Sequence, residues 1–130
     1  MNVVDSSGWL EYLVDGPHAE QFSVPLSDIE SLIVPTICLY EVFKVVLRER
    51  GEEKAVQAIA LMLQGNVVDL NDTIAVQAAK ISLAKKLPMA DSIVIATANA
   101  FDAVIWTQDQ DFAELPQTRY FPKGVASEQR

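Results

Sequence analysis

Apolar and polar positions along the chain fall into two alternating kinds of segment. Short runs rich in β-branched residues at 2–4 (NVV), 31–35 (SLIVP), 66–70 (NVVDL), 103–107 (AVIWT) and 119–121 (RYF) have the length and composition of strands. Between them the period changes. From Thr36 the apolar positions are Leu39, Val42, Phe43, Val46 and Leu47, the i, i+3, i+4, i+7, i+8 spacing of one helix face, and that helix ends at Arg50-Gly51. Further helices are predicted over 8–14, ended by Asp15-Gly16-Pro17, and over 18–23, with Pro25 and a polar stretch beyond. Others cover 52–63 and run from an Asn71 cap to about 86, where Pro88 breaks the chain. Residues 90–101 (ADSIVIATANAF) are apolar on nearly every side after the first turn, which predicts a buried helix. Strands separated by helices imply a parallel sheet with helices on both faces, an α/β fold. No repeat, linker or second composition interrupts the pattern, so residues 1–130 read as one domain, with 122–130 as a peripheral tail.

Composition narrows the options. Half the 130 residues are hydrophobic and 22% are charged, enough apolar surface for a buried core. The formal charge is −8, from 18 acidic and 10 basic residues, so the field of the whole molecule repels phosphate. Nucleic-acid chemistry would then depend on local arrangement or on bound cations. Cys38 is the only cysteine, which excludes an internal disulfide and a CxxC metal pair. His18, the only histidine, follows a Gly-Pro turn in DGPHAEQF and reads as a solvated residue at a helix start rather than a member of a catalytic triad. No basic leader with an apolar segment opens the sequence, and no apolar stretch is long enough to span a bilayer; a soluble, cytoplasmic protein is the expectation.

The acids have a pattern of their own. In a parallel α/β sheet, ligands bind outside the carboxyl ends of the strands, where strand order reverses. Asp5 stands at the end of the first strand and Asp109 just past the fourth. Asp91 lies in the first turn of the buried helix, and Glu41 about a turn and a half into the helix after the second strand. Each has an ordinary local explanation. Asp5 can cap a helix, Glu41 can pair with Lys44, Asp91 suits a helix dipole, and Asp109 and Asp111 suit Asx turns. Those explanations do not say why acids recur where strands hand over to helices. Clustered carboxylates repel one another unless a hard cation such as Mg²⁺ or Mn²⁺ sits among them.

Four segments carry a resemblance: VVDSS at 3–7, PTICLYEV at 35–42, MADSIVIATA at 89–98 and TQDQDF at 107–112. In this order, over nearly the whole chain, they resemble the PIN-domain ribonucleases, and in particular the VapC-like toxins of type II toxin–antitoxin pairs. The resemblance implies an α/β/α sandwich around a five-stranded parallel sheet. It also implies a catalytic, metal-binding set of Asp5, Glu41, Asp91 and Asp109, with Ser6 and Thr107 steadying the site and Asp111 as an auxiliary contact. The implied reaction is hydrolysis of an RNA phosphodiester with Mg²⁺ or Mn²⁺, and the implied partners are an RNA substrate, a cognate antitoxin and a second copy of the chain. The region 15–30 is shorter and more polar than the family pattern, which bears on the rim of the site.

Lys44 and Arg48, at i+3 and i+7 from Glu41, are candidates to meet an RNA backbone, or else solvated face residues. The helix around 55–63 (AVQAIALML) has apolar residues on more sides than one core contact needs, which suits a subunit or antitoxin contact. Two other classes remain open. A phospho-receiver domain shares the layout and the strand-end Asp, but needs an acidic pair where this chain has Asp5-Ser6-Ser7. A non-catalytic metal-binding or interaction module would keep the fold with a silent site. Dinucleotide and P-loop chemistry is excluded, since neither glycine motif occurs.

Overall fold

A computed structural model describes residues 1–124. Five strands form one parallel sheet: β1 (Asn2–Val4), β2 (Leu32–Pro35), β3 (Asn66–Val68), β4 (Val104–Thr107) and β5 (Thr118–Tyr120). Their spatial order is β3-β2-β1-β4-β5. Six α-helices connect them: α1 (Ser6–Leu13), α2 (Ala19–Ser27), α3 (Thr36–Arg50), α4 (Glu52–Met62), α5 (Asp72–Lys85) and α6 (Met89–Ala100). The path from β1 through β2 to β3 moves one way across the sheet, and the return to β4 reverses it. Right-handed crossovers therefore put α1 to α4 on one face and α5 with α6 on the other. The expected α/β/α sandwich is what forms. A phospho-receiver requires the order 2-1-3-4-5, so that alternative is excluded.

The central strands β1, β2 and β4 are short apolar runs that carry the core, while the edge strands β3 and β5 are largely exposed. Val3, Val4, Ile33, Val34 and Ile105 are at most 1% exposed, and Trp9, Phe22 and Phe112 close over them. Burying a side chain of this size stabilises the fold by about 1.5–3 kcal/mol. α6 behaves as its composition predicts, with residues 92–98 all buried between the sheet and α5. Asn71 caps α5 by accepting from the Ile74 N–H at 2.8 Å. Gly8 lets α1 lie close to the sheet. A Cβ there would stand 2.6 Å from Val4 Cγ1 and 2.8 Å from Phe22 Cε1.

Two expectations are corrected. α2 does not stop before Pro25 but continues to Ser27, because Phe22 and Pro25 both bury against the core and the Ser27 hydroxyl takes up the Ser23 carbonyl. His18 is not solvated. It is fully buried, with its ring 5.6 Å from that of Phe121 and its Nε2 2.8 Å from the Pro122 carbonyl. A carbonyl oxygen only accepts, so Nε2 carries the proton, and this bond offsets the cost of burying the imidazole. Of the tail expected at 122–130, residues 125–130 lie outside the described residues, while Pro122 is held by this contact.

Candidate metal centre

The switch point of the sheet lies between β1 and β4, whose register pairs Val4 with Trp106. The next residue on each strand is polar, Asp5 and Thr107, and both are buried. Asp5 caps α1, with Oδ1 accepting from the Gly8 N–H at 3.0 Å and from the Ser7 hydroxyl at 2.7 Å. Its Oδ2 accepts from the Thr107 hydroxyl at 2.7 Å. Capping and site-building are thus the same geometry. A carboxylate offers about four acceptor positions, so one remains on Oδ2 for another partner.

The loop after β4 is built on the same hydroxyls. Thr107 Oγ1 accepts the Asp109 N–H at 2.8 Å, and Ser7 Oγ accepts the Gln108 N–H at 3.0 Å. Asp109 Oδ1 in turn caps the one-turn 3-10 helix Gln110–Phe112 through the Asp111 N–H at 2.9 Å. From α3, Glu41 accepts a hydrogen bond from the Ser6 hydroxyl. Asp91 enters from the first turn of α6, as its place after Pro88 predicts.

Asp5, Glu41, Asp91 and Asp109, from four separate parts of the chain, line one cavity of about 470 Å³. Carboxylate oxygens of Asp91, Asp109 and Asp111 lie within 4.8 Å of one another. Asp111, expected as an auxiliary contact, lies in this cluster on its exposed side. Ser6 and Thr107 each hold an acid. Ser7, one of the two hydroxyls that follow Asp5, and Gln108, which the sequence did not single out, join the β1 and β4 ends. Their signal was adjacency to the two motif acids, but neither bond is visible without the register of the strands.

The electrostatics record how crowded the acids are. Burial pushes the Asp5 carboxyl up to about 6, against hydrogen bonds from Thr107, Ser7 and Gly8 that pull it down, and the charge of Asp109 adds to the rise. Asp91 is pushed up to about 7, first by burial, then by the charge of Asp109 and by a hydrogen bond and charge from Asp111. Beneath the site, burial and the charges of Asp5 and Glu41 raise the Cys38 thiol well above its usual value, so it stays protonated and is a poor ligand. The available donor set is carboxylate oxygen, which suits a hard divalent cation.

Lys44 and Arg48 do not line the cavity. The helical period turns the i+4 and i+8 positions toward it, Val45 and Glu49, while Lys44 lies over the Tyr40 ring and Arg48 pairs with Glu49 at 3.0 Å. The described cation on the wall is Lys123.

Residues 3–117 match the PIN domain family, and the chain belongs to it. Three solved structures make the likeness more particular. A toxin–antitoxin complex from Klebsiella pneumoniae aligns over 92% of this chain and 96% of its own, at 19% identity and a TM-score of 0.76. VapC20 of Mycobacterium tuberculosis, a sarcin–ricin loop cleaving toxin, aligns over 89% and 95%, at 16% identity and 0.75. DNA-bound VapBC from Salmonella typhimurium aligns over 93% and 98%, at 17% identity and 0.70. At these identities the likeness speaks for the fold. No curated protein sequence matches the chain.

Proposed function

We propose that the protein is a divalent-metal-dependent endoribonuclease, the toxin of a toxin–antitoxin pair, using Mg²⁺ or Mn²⁺. The observation that carries this is the convergence of Asp5, Glu41, Asp91 and Asp109 on one cavity at the switch point of a PIN fold. Asp5, Asp91 and Asp109 would hold the cation, with Glu41 completing the set and Asp111 an added oxygen at the open side. A bound cation would supply Lewis-acid polarisation of a phosphoryl oxygen and a lowered pKa for water. The chain's own part is positioning. Three donors fix the Asp5 carboxylate on the end of β1, and Ser6 fixes Glu41, so neither has to be ordered when RNA arrives. Asp111, exposed to solvent, leaves its side of the cluster accessible to a polymer.

Solved neighbours that are toxin–antitoxin assemblies support the partner side of this reading. α4 buries Ala55, Ala58 and Met62 while Val56, Leu61 and the adjoining Leu63 remain exposed, which fits a subunit contact and a homodimer without antitoxin. Among the described residues, no helix is long and apolar enough to cross a membrane.

The deciding experiment incubates total RNA with the protein in Mn²⁺, in Mg²⁺ and in chelator. Cleavage in either cation that stops with chelator and with Asp5→Asn or Asp91→Asn is expected, with Asp111→Asn reducing it less. Full cleavage by folded Asp5→Asn, or none by wild type, would defeat the assignment. Light scattering tests the dimer, and a monomer mass at micromolar concentration would assign the α4 surface to the antitoxin alone.

A further inference from the structure

We propose that Lys123 is the contact for an RNA backbone phosphate beside the scissile bond, and that His18 is its positioning residue. This rests on the nuclease reading above. The cavity is lined by Asp5, Glu11, Glu41, Glu49, Asp91 and Asp109, and among the described residues Lys123 is the cation that shares its wall. A polyanion approaching this wall meets six carboxylates among neutral side chains, and Lys123 is the described positive charge that can receive it. The ammonium of Lys123 makes no ion pair among the described residues, so it is available to a ligand.

An exposed lysine at a chain segment past the last strand would ordinarily wander, and here the segment is tied down at three successive points. The Phe121 N–H donates to the Thr107 carbonyl at 2.9 Å, which continues the β4–β5 ladder. The Phe121 ring packs against Trp106 at 6.1 Å, Phe22 at 5.3 Å and His18 at 5.6 Å between centroids. The Pro122 carbonyl then accepts from His18 Nε2 at 2.8 Å. The residue after this last tie is Lys123. His18 itself is anchored, its own N–H donating to Glu11 Oε2 at 2.7 Å. A buried imidazole with Nδ1 unpartnered spends its single ring donor on this carbonyl. The fold thus uses its only histidine to set where the backbone of residue 122 stops and the Lys123 side chain begins.

Phosphate contacts position a nucleic acid without reading its sequence, so mixed-sequence RNA oligonucleotides carrying a fluorophore and quencher serve as the probe. Initial rates are measured in Mn²⁺ and in Mg²⁺ across a salt series for wild type, Lys123→Gln, Lys123→Arg, His18→Phe, His18→Gln and the His18→Phe/Lys123→Gln double variant. Lys123→Gln should raise KM about five- to tenfold with kcat within about twofold, and should flatten the dependence of log(kcat/KM) on log salt by about 0.7, the contribution of one single-strand phosphate contact. Lys123→Arg should restore most of it. His18→Phe keeps a ring beside Phe121, and it should raise KM and flatten the salt slope in the same way, with His18→Gln closer to wild type. The double variant should be no worse than Lys123→Gln alone, because His18 acts through Lys123. Thermal melts check that each variant is folded, and Lys123→Gln decides the question should His18→Phe not fold. Active wild type with Lys123→Gln unchanged in KM and salt slope overturns this proposal alone. Wild type inert on the pool in both Mn²⁺ and Mg²⁺ overturns the nuclease reading and this proposal with it.

Discussion

The Thr107 hydroxyl donates to Asp5 Oδ2 at 2.7 Å across 102 residues of sequence, joining the carboxyl ends of the two central strands beneath the acidic cavity. The same oxygen accepts the Asp109 N–H. One hydroxyl therefore fixes two of the acids at once, one by its proton and one by its lone pair. Thr107→Val keeps the shape and removes both bonds. It should cost about 1–3 kcal/mol of stability in urea unfolding, because Asp5 and the Asp109 N–H each lose a partner. RNA cleavage should drop roughly 10- to 100-fold, the usual effect of losing a residue that orients ligands. Thr107→Ser should recover most of both, and a Val variant with wild-type rates would show that the hydroxyl positions nothing of consequence.

Acid pH should stabilise the metal-free protein. Asp5 titrates at about 6 and Asp91 at about 7 in the fold, against 3.8 for either ordinarily. A carboxyl with a raised folded pKa binds its proton more tightly folded than unfolded. Its stabilising effect is complete below 3.8 and disappears as pH climbs through 6 to 7. For buried Asp5 alone the difference is on the order of 3 kcal/mol. Thermal melts in chelator should therefore give a higher Tm at pH 5 than at pH 8, and an equal or lower value at pH 5 would contradict the crowding of these acids. The gain in Tm from Mn²⁺ should be larger at pH 8, since ligands must be deprotonated to bind.

Removing one charge should separate the two states. At pH 8, like-charged carboxylates about 4 Å apart repel by roughly 4 kcal/mol at an effective dielectric near 20, before relaxation. Asp109→Asn should raise the Tm of the metal-free protein. Wild type in cation at about 100 times its Kd should gain about 2.7 kcal/mol, and the variant less. Four unrelated helix caps would instead lose stability on substitution and ignore Mn²⁺, so identical melts with and without millimolar Mn²⁺ would remove the support for a metal centre.

Gly8 offers a test of how the site is seated. Gly8→Ala places a methyl against Val4 and Phe22, both fully buried, so α1 must lift from the sheet. Overpacking of this kind costs about 1–3 kcal/mol. Because the Gly8 N–H also donates to Asp5 Oδ1, cleavage should fall more than in a distant variant of equal stability. Chemical denaturation with parallel RNA assays would check this, and a Gly8→Ala protein with unchanged stability would mean that the close approach is not maintained in solution.

Most of the layout could be read from period and punctuation alone. The shift from apolar runs to the 3.6-residue spacing at Thr36, the Asn71 cap and the Pro88 break all act locally, so local sequence reveals them. The acids could be placed at one end of the sheet for the same reason. What was not legible depends on residues distant in sequence meeting in space. Gln108 matters because β1 and β4 happen to be neighbours, which brings its N–H to Ser7. His18 looked solvated because nothing near it announces that Phe121 will cover it. Lys44 and Arg48 share a helix with Glu41, but a rotation of one position decides between the cavity and solvent. The nearness of Asp111 to Asp91 likewise depends on a 3-10 turn, barely signalled by DQDF, that brings the two together.

The placement of β1 also has a consequence in time. A ribosome makes Asp5 102 residues before the strand end that must lie beside it. The central strand of the sheet waits, with only β2 as an available neighbour, while the residues between are made. Contacts of such long sequence separation form slowly even in a released chain. A growing chain therefore holds its first acid without the hydroxyl, the loop acids or the lysine that complete the site. The topology delays assembly of the centre until nearly all of this fold has been synthesised.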